Sequence, residues 1–572
     1  MTINDYEACG SLRTEDLSES VHELVTGLLA RPWGQVTPSV YETGRLVSLA
    51  PWLGGHGERV RYLLAAQRPD GGWVSPHVGY ALIPTLSATE ALLSEASTVD
   101  AHGNPSALRP DLIKAANQGL DRLFRLVNQV DPAKLPDMPA IEHLAPYLTE
   151  MINVRLDELA EDPIPGLRER WRAARLSLPA DLDGRTVAMV RARLRDGGAV
   201  PQKLLHALEI GGPDASRASS VRPEPTGAVG ASPAATAAWL GFRETGGEAD
   251  EHELRARRFL AETTSPYAGP APSVIPITNF ERGWVLGWLA AAGIPLDVPA
   301  ELISGLRATL GPAGTSGGSG LPVDADTTSG ILYTLSMLGH PQPPDALFAY
   351  ETDSHFCTWR GENGYSVTTN AHVLEAFGHY LGCVAGDTDS GRYTAAAEKA
   401  AAWLIDRQAN DGSWLDRWHA SPYYATACAA VALDLFGGAR CAPAVERARG
   451  WVLDTQHPDG SWGCWGGTAE ETAYALQLLM RTDPSRHSAT RDMPPGTTQG
   501  RRPGATISDG RLDEAVSRGG AFLRSAAWPL EKDLEHPPLW HDKDLYRPIA
   551  VVRAAILAAL HLTSAGRFVA KK

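Results

Sequence analysis

The sequence predicts an all-α protein assembled from repeated helix–turn–helix units. Apolar residues recur at three- and four-residue spacing along most of the chain, strand-like alternation is scarce, and one short motif returns three times. The motif reads Q-x-x-D-G-[GS]-W and occupies Gln67 to Trp73, Gln408 to Trp414 and Gln456 to Trp462. Each copy follows an amphipathic segment and precedes one rich in Ala, Thr and Tyr. Asp-Gly supplies a turn, because glycine accepts positive φ and Asp bonds to nearby backbone. Gln and Trp can then tie the end of one helix to the start of the next. Repeats of this kind are the sign of a toroid or solenoid.

Taken in order, Val21 to Ala30, Gly55 to Ala66, Ala88 to Ser94 and Leu112 to Val127 carry helical periodicity, with turns rich in Gly, Pro and Asp between them. Pro213 to Pro233 is rich in Ser, Pro, Gly and Ala, and Ser232 to Thr236 reads as the remnant of a degenerate copy of the repeat. A loop-like stretch, Thr263 to Pro276, precedes a helix from Asn279 to Leu289 that opens a second domain. Thr482 to Gly510 is polar, with Pro and Gly throughout, and is expected to be a mobile surface loop. Arg511 to Leu523 and Tyr546 to Leu562 resume the helical pattern.

At 572 residues the chain has room for two to four domains, and 43% hydrophobic with 21% charged residues describes a globular protein. The net charge of −15 argues against a general nucleic-acid binder but leaves room for a local basic pocket. Six scattered cysteines without a C-x-x-C pair suggest neither a zinc ribbon nor a disulfide framework. Asp5, Glu7, Glu15 and Asp16 stand where a signal peptide needs basic and apolar residues, and no apolar run approaches about 18 residues. A cytoplasmic location without a membrane span is therefore expected.

Chemistry is concentrated at Gly320 to Gly330. Asp324 and Asp326 lie two residues apart, after a Gly-rich run and before the apolar Ile331 to Leu335. Capping of the following helix by Asp326 or Thr327 is the plain structural reading of D-x-D-T-T. Two adjacent carboxyl groups in an apolar setting can also hold a proton and deliver it.

These residues carry a family resemblance. The Q-x-x-D-G-x-W repeats resemble the QW motifs of terpene cyclases built from α/α barrels. Gly320 to Ser329 resembles the D-x-D-D-T region of class II, protonation-initiated cyclases, with Thr327 where the last Asp commonly stands. Further stretches are similar to bacterial and plant diterpene cyclases: Ser39 to Thr43, Met138 to Glu142, Leu204 to Glu209, Phe280 to Trp284, Gly364 to His372, Ser421 to Tyr424 and Leu539 to Lys543.

The resemblance implies two α/α-barrel domains of the γ and β types. An N-terminal segment, 1–19, would pack on the β domain, the γ-like barrel would span 20–262, and the β-like barrel 263–572. It implies Asp326 as the acid, Asp324 as the neighbour that tunes and reprotonates it, and Asn370 as a hydrogen-bond partner of the acid. Thr327, Thr328, Trp284, Trp359, Tyr365 and Tyr423 are candidates for the substrate pocket, whose aromatic faces would stabilise a carbocation. The chain has no Asp-Asp pair, so the D-D-x-x-D motif of diphosphate-ionising cyclases is missing and the product is expected to keep its diphosphate. Arg191, Arg193 and Lys203 are candidate diphosphate ligands. Asp131, Asp137 and Glu142 are candidate carboxylates for Mg²⁺. Solvated helix faces and surface carboxylates are the competing readings of both sets.

The expected substrate is a linear prenyl diphosphate, C15 farnesyl or C20 geranylgeranyl, and the expected product a bicyclic prenyl diphosphate passed to a phosphatase or a class I cyclase. A squalene-type triterpene cyclase shares the barrels and the acid. A non-catalytic toroid binding protein and a zinc prenyltransferase subunit are the readings from other classes.

Overall fold

The computed structural model describes residues 14–98, 108–241, 250–384, 390–483, 509–527 and 537–569. Most of the loop expected over Thr482 to Gly510 lies outside the described residues.

Helix α1 (Thr14–Ala30) leads into α2 (Val40–Leu49), α3 (His56–Ala65), α4 (Val78–Thr98), α5 (Arg109–Leu126) and α6 (Ile141–Glu161). After these come α7 (Arg185–Arg195), α8 (Gln202–Leu205), α9 (Pro233–Leu240) and α10 (Glu251–Thr264). Helices α2, α4 and α6, the 3-10 segment Leu208–Ala215 and α9 pack in sequence, and α9 returns to α2, which closes an inner ring. Helices α3, α5, α7 and α10 pack on its outside.

The second half repeats the plan with α11 (Thr278–Ala291), α12 (Ala300–Thr309), α13 (Ala325–Met337), α14 (Val367–Cys383) and α15 (Ser390–Arg407). It ends with α16 (Pro422–Phe436), α17 (Ala442–Asp454), α18 (Ala469–Arg481), α19 (Asp509–Ala527) and α20 (Ile549–Val569). Its inner ring runs α11–α13–α14–α16–α18–α20 and back to α11, with α12, α15, α17 and α19 outside. Sequence periodicity tells the two layers apart. Inner α16 is buried without a break from Tyr423 to Asp434, whereas outer α15 buries only Tyr393, Ala396, Ala397, Ala400, Ala401, Trp403 and Leu404. Helix α1 packs on α11 and α20 of this second ring.

The Q-x-x-D-G-x-W turns join outer helices to inner ones by one geometry used three times. Trp73, Trp414 and Trp462 are fully buried, and their indole N–H groups donate to Leu63, Leu404 and Val452 carbonyls at 2.7, 2.8 and 2.7 Å. Each Gln side-chain amide donates both to its own turn and to the next outer helix, at Ala115, Ala444 or Ala515. Gly71, Gly412 and Gly460 have φ of 89, 100 and 91°, and a Cβ there would strike the carbonyl of Gln118, Arg447 or Arg518. Each Trp backbone N–H meets a threonine of the inner helix: Thr85, Thr426 or Thr472.

Two further copies have lost the motif and kept the geometry. Val229 N–H donates to Thr236 at 2.9 Å after Gly227, whose φ is 91°. Thr315 N–H donates to Thr328 at 2.9 Å. The turn before α9 is thus the degenerate copy expected around Ser232. Thr328 of the D-x-D-T-T stretch occupies the repeat's threonine position.

A hairpin of β1 (Trp540–His541) and β2 (Leu545–Tyr546) lies between the rings. At its tip Lys543 is wholly buried and donates to Glu42 of α2 at 2.8 Å, to Glu209 at 2.9 Å and to Ser232, the N-cap of α9, at 2.7 Å. Asp544 accepts from Ser39, the N-cap of α2, and from the Tyr41 N–H. Among the described residues no helix is long and apolar enough to cross a membrane.

Candidate active site

Four inner helices of the second ring begin on short polar residues that cap their free N–H groups: Asp324 for α13, Ser366 for α14, Ser421 for α16 and Thr468 for α18. Asp324, rather than Asp326 or Thr327, is thus the cap of α13. Its carboxylate accepts from the Thr327 N–H at 2.6 Å and the Thr327 hydroxyl at 3.0 Å. That frees Asp326, one residue into the first turn, to point elsewhere. It accepts from the Thr369 hydroxyl of α14 at 3.0 Å and lies within the electrostatic reach of His372 and Asp416.

The two carboxyl groups hold their protons unusually well. Burial and then the charge of Asp326 push Asp324 up to about 8. Burial, reinforced by Asp416, pushes Asp326 up to about 6, while His372 and the Thr369 hydrogen bond act against the rise. Burial opposes charge on His372, yet the Cys428 and Glu375 side chains raise its imidazole well above the ordinary value; Glu375 accepts from it at 2.9 Å.

Asp324 and Thr327 line a cavity of 370 Å³ between the rings. Its walls are apolar and aromatic, including Val274, Ile277, Phe280, Trp359, Trp418 and Trp540. Where solvent reaches it, the lining turns polar and charged: Asp137, Glu142, Lys203 and Arg417, with His143 among them. Lys203 sits 4.2 Å from the centre of the Trp359 ring, with Arg417 at 5.2 Å, so one indole gathers two cations. Arg417 also pairs with Glu362 at 2.9 Å and Asp137 at 3.0 Å.

Two histidines on this cavity differ in charge. His206 has Gly230 O at 2.6 Å from Nδ1 and Asp542 at 2.8 Å from Nε2, so both nitrogens donate. Burial works against that charge, but Asp542 holds the imidazole above its usual value. His541 is brought down to about 3 by burial and is neutral.

The other residues singled out from the sequence fall in different places. Trp284 lies deeper, packed edge-on to His372, and its N–H donates to Tyr424. Asn370 bonds only the backbone of Phe356 and Ser366, and the hydrogen bond expected from it to Asp326 comes from Thr369. Tyr365 is 48% exposed and packs on Trp403 and Arg407, while Tyr423 packs on Trp451; neither lines the cavity. Arg191 pairs with Glu150 and Arg193 bonds the Ala199 carbonyl, both away from the lining. Asp131 caps a 3-10 turn and pairs with Lys134 at 3.0 Å. Thr328 is spent on the repeat hydrogen bonds.

Sequence reading missed Arg417, Asp416 and Thr369. Asp416 stands two residues after the repeat tryptophan Trp414 and caps α14 through Ser366, Val367 N–H and Thr368. Its signal was its place next to a repeat, not a motif of its own.

An acid pair with raised proton affinity, of which Asp324 lines an aromatic cavity between two closed helical rings and Asp326 stands outside the lining, fits a protonation-initiated terpene cyclase. Comparison with known proteins agrees. Residues 365–491 match the family model described as squalene-hopene cyclase C-terminal domain. The chain is 42% identical over 551 residues to ent-copalyl diphosphate synthase of Streptomyces sp. (strain KO-3988), covering 96% of each chain. It is 37% identical over 547 residues to labda-7,13-dienyl diphosphate synthase of Streptomyces clavuligerus, covering 96% of this chain and 93% of that one. The solved ent-copalyl diphosphate synthase from Streptomyces platensis superposes with a TM-score of 0.84 at 42% identity, over 96% of this chain and 99% of that one. The chain belongs to the class II terpene cyclase family.

Proposed function

We propose that this enzyme cyclises geranylgeranyl diphosphate to a bicyclic C20 diphosphate of the copalyl type and leaves the diphosphate in place. The observation that carries the reading is the arrangement of the cavity, with Asp324 of the raised acid pair on a wall rich in aromatics, Asp326 next to it in the first turn of α13 although outside the lining, and cations where the cavity opens to solvent. The names of relatives matched along the whole chain, copalyl and labda-7,13-dienyl diphosphate synthase, favour C20 over C15.

Asp326 supplies its proton to the terminal alkene. Asp324 keeps a proton beside it, and solvent restores the one spent. The cation that forms lies against Trp359, Trp418, Trp540 and Phe280, whose π faces each contribute up to about 2 kcal/mol when desolvated. Lys203 and Arg417 hold the diphosphate. Among the described residues no three His, Cys, Asp or Glu side chains converge as a metal cage. Asp137 and Glu142 nevertheless both face the solvent-open part of the cavity, and Mg²⁺ commonly takes one or two carboxylates together with substrate phosphates. These two residues would hold the ion, and bound there it would neutralise diphosphate charge; Asp131 lies outside the set. The product then suits an enzyme that removes or ionises a diphosphate.

Incubation with geranylgeranyl and farnesyl diphosphates, followed by phosphatase and mass analysis, tests the reading. A bicyclic C20 alcohol from the first is expected. Turnover of farnesyl diphosphate alone, or of squalene, would sink it.

A further inference from the structure

The end of the reaction needs a base, and the cavity offers several groups. Most are already engaged. Both nitrogens of His206 donate to acceptors, so it has no lone pair to offer. Asp542 accepts from His206 through one oxygen and from Ser273 through the other, at 2.8 and 2.6 Å. Burial raises the Tyr546 phenol, which keeps its proton. His143 sits beside Glu142 at the solvent-open part of the cavity.

His541 differs from all of these. Its Nδ1 lies 2.7 Å from the Arg417 carbonyl, which can only accept, so Nδ1 carries the hydrogen. Nε2 keeps its lone pair, and among the described residues its one hydrogen-bonding neighbour is the Tyr80 hydroxyl, which meets that lone pair at 3.2 Å. The backbone that carries the ring is held firmly, because the His541 main-chain N–H donates to the Trp418 carbonyl at 2.9 Å and β1 lies along the segment that carries Arg417. The placement fits the chemistry. Protonation starts at the end of the chain far from the diphosphate, so a two-ring closure leaves its last cation between the acid and the diphosphate. Arg417 offers its guanidinium to the cationic part of the cavity and its carbonyl to His541, which sets this imidazole on that intermediate stretch of wall.

We propose that His541 Nε2 is the base that ends the reaction, taking a proton from a carbon next to the final cation. The C–H bond breaks, its electron pair becomes the new C=C bond, and an N–H bond forms on the imidazole. For this the Tyr80 hydroxyl first swings its hydrogen away from Nε2 and frees the lone pair; its oxygen then accepts the new N–H, and the proton leaves through it to solvent, since Tyr80 is half-buried. One proton has entered at Asp326 and one has left at His541, so the product is an isomer of the substrate. A neutral imidazole of low basicity suffices, because a carbocation is a far stronger acid.

The proposal rests on the cyclase reading above, and the wild-type reaction separates the two: if wild-type enzyme forms no bicyclic diphosphate, that reading fails first. With geranylgeranyl diphosphate, His541→Phe should still consume substrate, but its normal alkene should fall by at least about tenfold as a share of product. Alkenes with a displaced double bond, rearranged skeletons and alcohols from water capture should replace it. A residue that merely supported the fold would lower turnover without changing the product. His541→Gln, which can still bond the Arg417 carbonyl, decides the matter where the Phe variant does not fold. Either folded variant giving the wild-type alkene as its main product would overturn the assignment.

Discussion

At the scale of single residues, the D-x-D-T-T stretch divides two tasks that sequence alone left together. Asp324 caps a helix, and capping leaves Asp326 unencumbered except for one hydroxyl. Asp326→Asn keeps the shape and removes the proton, so cyclisation should vanish while the melting temperature stays near wild type. Activity should also depend on pH with a definite sign. Asp326 works only when protonated, so the rate should be flat below about 6 and fall above it. Stability follows the same direction. Both folded-state values are raised, so their contribution is complete below the unfolded range near 4 and is lost as pH rises through about 6 and about 8. His372→Gln removes a cation that lowers Asp326, and the alkaline limb of the pH–rate profile should move up; an unmoved limb would show that His372 does not act on the acid.

At the scale of elements, the repeat was legible because it depends on residue types that nothing else replaces. Only a buried indole reaches back ten residues to the carbonyl it satisfies, and only glycine fits against the next helix's backbone. Trp414→Ala should cost about 3–5 kcal/mol, since it empties a large site and strands the Leu404 carbonyl. Urea unfolding would measure it, and a loss below about 1 kcal/mol would mean that the turn is held by its glutamine instead. The lost copies at Val229 and Thr315 were hard to read for the same reason. Backbone and threonine carry the geometry there, and backbone bonds leave no side-chain signature. Tyr365 and Tyr423 were misplaced because a motif states that residues stand near a site, not which way each one faces.

At the scale of the whole molecule, two rings share one site, and the joint between them is ionic. Lys543 is surrounded by Glu42 and Glu209, which raise its ammonium further against the cost of burial. Removing one partner of a buried set leaves the others uncompensated. Lys543→Met should therefore destabilise the protein by about 3–5 kcal/mol and lower activity through the walls that the hairpin completes. Calorimetry checks this, and two separated transitions in place of one would show the rings unfolding independently. No sequence pattern announced this contact. Lys543 lies more than 300 positions from each partner, 501 from Glu42 and 334 from Glu209, and each alone reads as an ordinary charged residue.

That separation has a consequence during synthesis. Glu42 and Glu209 are made first, and the ammonium that compensates them follows 334 positions after Glu209. At about 5–20 residues per second, a ribosome needs roughly 17 to 70 seconds to travel from Glu209 to Lys543. Throughout that interval the leading half of the nascent polypeptide carries two carboxylates without their cation, and its final packing must wait for the hairpin to emerge. A stretch translated later is the one that locks the earlier ring.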